Sequence, residues 1–152
     1  MVLVVRVSLK SSIIVAMLLK NMRHLYSLLY CDIDVERGRS PDVAVNAFKD
    51  LINKVKDDFP ETQILLLSMK PTLIDDFLGK EGRKNKIITN EKWLAYCNDE
   101  ENLHYVEITN PMLNPDGRLR SDIFISDGMS LNALGYTLWD PVIRKKIANL
   151  TK

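Results

Sequence analysis

The run Ile64-Leu65-Leu66-Leu67 contains no polar position, so a strand built on it cannot leave either face in water. Strands of this kind lie in parallel sheets covered by helices on both sides; a half-exposed strand would alternate apolar and polar residues. The preceding segment can supply one cover. The helix begins at Ser40, Pro41 occupies a first-turn position that tolerates its missing N–H, and Asp42 lies at the positive end of the helix dipole. Val45, Phe48, Leu51, Ile52, Val55 and Phe59 then recur at three- and four-residue steps, while Lys49, Asp50, Lys54 and Asp57 fall on the other side. Pro60 stops the helix.

The same alternation extends along the chain. Val2-Leu3-Val4-Val5-Arg6-Val7 is a β-branched strand, residues 13–19 suit either a strand or a buried helix, and residues 25–31 form a short strand ended by the polar turn 32–39. A second helix is expected over residues 84–97, with Ile87, Ile88, Trp93, Leu94 and Cys97 inward, followed by a strand over 103–108. After a turn-rich stretch comes a last helix, N-capped by Asn132, with Leu134, Leu138, Trp139 and Ile143 as its stripe; Asp140-Pro141 should kink or restart it. Right-handed β-α-β crossovers then give an α/β protein, a three-layer α/β/α sandwich with a mostly parallel sheet, as one domain over residues 1–152. Ligand sites in such folds lie beyond the carboxyl ends of the strands.

With 46% hydrophobic residues and a formal net charge of +1, the chain can bury an ordinary core and does not suit nucleic acid. Charge is nevertheless uneven: the first 31 residues hold Arg6, Lys10, Lys20 and Arg23 and no acid. The apolar run 13–19 is too short for a membrane span, and no small-x-small cleavage site follows it, so the expectation is a soluble protein, with a cytoplasmic location slightly favoured over export. Cys31 and Cys97 lack metal-like spacing and suit buried small hydrophobes.

The carboxyl-end segments are Cys31-Asp32-Ile33-Asp34, Ser68-Met69-Lys70-Pro71 and the loop from Asn110 to Ser130. Within the last, Asp127-Gly128-Met129-Ser130-Leu131-Asn132-Ala133-Leu134-Gly135-Tyr136 resembles the closing block D-G-x-H-L-N-x-x-G-Y of the SGNH/GDSL ester hydrolases. Arg39-Ser40-Pro41, residues 64–71 and Asn110-Pro111-Met112-Leu113 with Asp116-Gly117 resemble further family segments. The match covers residues 28–145 and leaves 1–27 as a divergent N-terminal segment. It implies the flavodoxin-like fold of that family, a serine acyl-enzyme mechanism on small acyl esters, and neither metal nor organic cofactor.

The catalytic positions depart from the family pattern. The closing block should complete a Ser-His-Asp triad: Asp127 fits the acid, but Ser130 stands where the histidine belongs, and a hydroxyl has no basic nitrogen. His24 and His104 offer no evident substitute, since one precedes the third strand and the other lies within a strand. In the G-x-N-D block Ile33 aligns with the oxyanion-hole Asn, leaving only Asp34 matched. The nearest nucleophile candidate is Ser8, after the first strand, without the flanking Gly and Asp and only 26 positions before Asp34.

Other marked residues have structural readings. Asp127 can be a loop-capping carboxylate and Asn132 a helix cap beside the site. Lys70 can attract an anion or be a solvated lysine, Trp93 and Trp139 suit the core, and Asp75-Asp76 and Asp99-Glu100-Glu101 suit solvated faces. The expected function is an ester hydrolase family member impaired as this chain stands. The alternatives are a non-catalytic structural or ligand-binding subunit and a fragment of a longer active esterase. An unpaired sheet edge left by the missing first strand would favour homo-oligomers or a larger assembly.

Overall fold

The computed structural model describes residues 2–9, 12–20, 25–29, 35, 38–75 and 80–151, the first three strands by their backbone course. Five strands form one sheet in sequential order: β1 (Val2–Leu9), β2 (Ser12–Lys20), β3 (Leu25–Leu29), β4 (Gln63–Leu67) and β5 (Leu103–Val106). Helices α1 (Pro41–Asp58), α2 (Lys80–Asn98) and α3 (Ala133–Leu150) and the short 3-10 turn Asn110–Met112 complete the described elements.

Strand direction follows connection length. A parallel pair needs a crossover of a dozen or more residues, and β3–β4 and β4–β5, joined through α1 and α2, are parallel. Only residues 10–11 and 21–24 separate the first three strands, and both of those pairs are antiparallel. Residues 12–20, which suited either strand or helix, are therefore strand β2. It pairs with β3 on the side away from β4, and the described sheet ends at β1 and β5.

The apolar run of β4 serves both faces. Ile64 and Leu66 pack into a core with Val45, Phe48, Ile52 and Trp93 of α1 and α2. Leu65 and Leu67 pack on the other side with Ile108, Met112, Ile123 and Trp139, where α3 lies. The four side chains of the run Ile64 to Leu67 are at most 1% exposed, each burial stabilising by roughly 1.5–3 kcal/mol. The result is three layers, as the polarity of the run requires.

Helix α1 matches its sequence pattern: Ser40 is the N-cap and its Oγ accepts from Val43 N at 3.4 Å. Phe59 departs from the stripe because the helix ends at Asp58; with φ −141° and ψ 71° it turns away and stays exposed. In α2 the inward face matches the expected one at Trp93 and Cys97 and departs from it at Ile87 and Leu94. Ile87 and Leu94 are 53% and 45% exposed, while Lys86, Thr89, Trp93 and Cys97 are buried. In α3 the buried positions are Gly135 and Trp139, and Leu134 remains exposed. The helix runs through Pro141, whose missing N–H removes one bond to the carbonyl of Thr137.

Candidate functional site

Three described segments meet at the carboxyl ends of β4 and β5. The first leaves β4 through Ser68, which is fully buried: its Oγ accepts from Ile108 N at 3.0 Å and lies 3.4 Å from Thr109 Oγ1. The Glu107 carboxylate caps the start of the second segment, accepting from Thr109 N at 2.7 Å and Asn110 N at 3.0 Å. The third is the 127–130 turn. It is held over the β4 exit by the bond from Leu73 N to Gly128 O at 2.9 Å. Gly128 has φ +65°, and a Cβ there would lie 3.3 Å from both Leu73 and Ile74 side-chain atoms.

Within this turn Asp127 and Ser130 form a closed ring. Asp127 Oδ1 accepts from Met129 N at 2.8 Å and Ser130 N at 2.7 Å, while Oδ2 accepts from Ser130 Oγ at 2.7 Å. The Ser130 hydroxyl, then the two N–H groups, hold the carboxyl below the usual carboxylate range, with the nearby Lys70 charge adding to the effect. Asp127 and Ser130 are exposed, whereas Lys70 is buried and is not the solvated lysine its sequence setting suggested.

Asn132 behaves as a two-sided staple. Its Oδ1 accepts from Gly135 N at 3.0 Å, capping α3. Its Nδ2 donates to Asp122 O at 2.8 Å and Phe124 O at 3.4 Å, fixing the loop that precedes the helix. The structure thus brings Asp127, Ser130, Lys70 and Asn132 to one end of the sheet. Ser8 lies in β1 opposite Ile13, described by its backbone alone; Ile33 and Asp34 lie outside the described residues.

Sequence reasoning missed the buried polar cluster beneath this end. Asp75, expected on a solvated face, is 2% exposed and accepts from Thr72 N (2.9 Å), Thr72 Oγ1 (2.7 Å) and Lys86 Nζ (2.7 Å). The Thr72-x-x-Asp75 spacing after Pro71 was an available signal, since a Thr and an Asp three apart can close a local turn through side chain and backbone.

A cavity of about 480 Å³ lies at the opposite end of the sheet, beside Cys97, His104, Tyr105 and Lys146. Its groups are poorly suited to catalysis. Burial pushes the Cys97 thiol up to about 12, and burial with the Lys146 charge pushes His104 down; His104 Nε2 is 2.6 Å from Gln63 Oε1. The carboxyl end, where the strand exits converge, is the better candidate.

No family model matches the sequence, and no curated protein does. Solved structures do match the fold. A protein from Streptococcus pneumonia described as a platelet activating factor superposes with TM-score 0.66 at 18% identity, covering 76% of this chain and 55% of that one. A carbohydrate esterase family 3 protein from Talaromyces cellulolyticus gives TM-score 0.62 at 15% identity, covering 82% and 56%. The OSK domain of Drosophila Oskar gives 0.56 at 20% identity, covering 84% and 62%. Acylhydrolase, acetyl esterase and GDSL-like lipase structures also match. The fold is the SGNH hydrolase fold that the closing block implied, in a chain spanning little more than half the length of the first two structures.

Proposed function

We propose that this chain is an SGNH/GDSL ester hydrolase family member whose hydrolytic chemistry is impaired, leaving a scaffold that binds a ligand or a partner. The observation that carries this reading is the bond from Ser130 Oγ to Asp127 Oδ2 at 2.7 Å. In a working triad the acid orients an imidazole, which takes the proton of the nucleophile. Here the hydroxyl at the imidazole position donates its hydrogen bond to the carboxylate and keeps its proton, so the pair ends in a closed ring. The carboxyl is also held below its usual range, which makes Asp127 a weaker base still.

Ile33 supplies no side-chain donor at the oxyanion position, and loss of one such donor typically lowers a rate about a hundred- to a thousandfold. If activity persists, small acyl esters are the substrate class. Turnover of p-nitrophenyl acetate, with and without a serine-reactive phosphonate, tests the proposal. The expected result is no turnover above the buffer rate; phosphonate-sensitive turnover, with labelling of a serine such as Ser8, would overturn it. Ser130→His alone should not restore activity, because neither the oxyanion donor nor the nucleophile block returns with it. Self-association through β1 or β5 is the partner expectation retained, and light scattering checks it.

A further inference from the structure

Helix α2 presents to the sheet a stripe that is polar at one end and apolar at the other. Lys86 and Asn90 are one helical turn apart, and Trp93 and Cys97 continue the stripe. The apolar end fills the core with Phe48, Leu66 and Leu103. The polar end grips the chain leaving β4 at two points. Asn90 forms a two-way bond with the backbone of one residue: Oδ1 accepts from Met69 N at 2.7 Å, and Nδ2 donates to Met69 O at 3.1 Å. Lys86 Nζ reaches Asp75 Oδ1 at 2.7 Å, with both side chains at most 3% exposed. Asp75 in turn closes on Thr72, so the turn between the two clamps is fixed at both ends.

We propose that Lys86 and Asn90 are positioning residues for the 127–130 turn. The path runs from Lys86 to Asp75, to Thr72, to Leu73, and through the Leu73 N–H to the Gly128 carbonyl. A buried ion pair is weak evidence for stability, since well-packed apolar side chains of similar volume often do as well or better. What the pair supplies here is direction. Its three donors fix the Asp75 carboxylate in one orientation, and the contact of Gly128 with Leu73 and Ile74 leaves little room for the loop to slide. The inference takes from the functional proposal only that the 127–130 turn belongs to the candidate site, and it predicts nothing about turnover.

The test is backbone amide exchange by NMR on the full chain. Leu73 reports the link, and Met129 and Ser130 report the ring at Asp127. Lys86→Met and Asn90→Leu should speed exchange at these amides at least tenfold beyond any change at the amides of α1, and should bring the Asp127 carboxyl back toward its usual value. Thr72→Val, which keeps the shape and removes one donor to Asp75, should act in the same direction if Lys86→Met fails to fold. Thr72→Ser, which keeps the donor, should restore wild-type exchange. Ile52→Val, a core change in α1, controls for general loosening. Uniform acceleration across α1 and the 127–130 turn in the clamp variants, or an unmoved Asp127 titration, would overturn the proposal. Phosphonate-sensitive turnover in the esterase assay would sink the functional reading and leave this one standing.

Discussion

Two glycines should respond with opposite signs to the same substitution. Gly135 sits at the third position of α3, and a Cβ there would lie 2.7 Å from the Ile123 carbonyl oxygen and 2.9 Å from Leu131 Cβ and Cδ2. Gly82 lies in α2, and a Cβ there would meet nothing nearer than Asp75 O at 3.7 Å, an ordinary contact. Alanine in a helix interior gains about 1 kcal/mol over glycine. At Gly82 that gain stands nearly alone, so Gly82→Ala should stabilise by roughly 0.5–1 kcal/mol. At Gly135 it is opposed by overpacking, typically about 1–3 kcal/mol, with the cost near the top of that range because the nearest atom is backbone and cannot rotate away. The net is a loss of about 1–2 kcal/mol. For a domain of this size each kcal/mol moves Tm by about 2–4 °C, so Gly135→Ala should fall by roughly 2–8 °C and Gly82→Ala rise by about 1–4 °C. Thermal and urea unfolding followed by circular dichroism read both. A Gly135→Ala protein as stable as the parent would refute the packing of α3 on the 123–131 loop, because nothing else requires that glycine to be bare.

The other predictions concern the loop and its titrations. Asn132→Ala should cost about 1–2 kcal/mol in urea unfolding through the lost cap, whereas Asn132→Asp keeps the acceptor for Gly135 N and should lose only what the amide gives to Asp122 O and Phe124 O. Ser130→Ala removes the main cause of the depressed Asp127 value, so its carboxyl should titrate higher in a carbon-detected NMR titration. A carboxyl depressed on folding adds stability that is present above its unfolded value and lost as pH falls through the folded one, so the variant should be weaker near neutrality and match the parent in acid; a constant gap contradicts this. His104 is also depressed on folding, by burial first and then by Lys146. Its neutral form is favoured, so the parent should lose stability relative to His104→Gln as pH drops below about 6.5, and parallel urea profiles at every pH would exclude the effect.

The layers were legible where burial alone decides the residue type. The unbroken apolar run in β4 required cover on both faces, and Ser40-Pro41-Asp42 marked the start of α1 to the residue. The inward face of α2 was legible at Trp93 and Cys97 and not in its first half, where the stripe carries Lys86, Thr89 and Asn90 and a search for apolar residues instead selects Ile87, with Leu94 beyond it. A polar side chain can be buried once partners meet it there, and those partners, Asp75 and the Met69 backbone, lie 11 and 21 residues away along the chain. Periodicity within one segment has no access to that exchange.

The closing block shows the same division within ten residues. Gly128, Asn132 and Gly135 are accounted for by backbone conformation, capping and close packing, and they would be needed to build this loop whether or not any reaction followed. Ser130 fits the turn in the same way, since its hydroxyl donates to Asp127 Oδ2 at 2.7 Å. Most of this pattern is therefore a folding instruction. Resemblance over such a block argues for the fold, and activity has to be argued separately, from the groups that would supply the base, the nucleophile and the oxyanion donors.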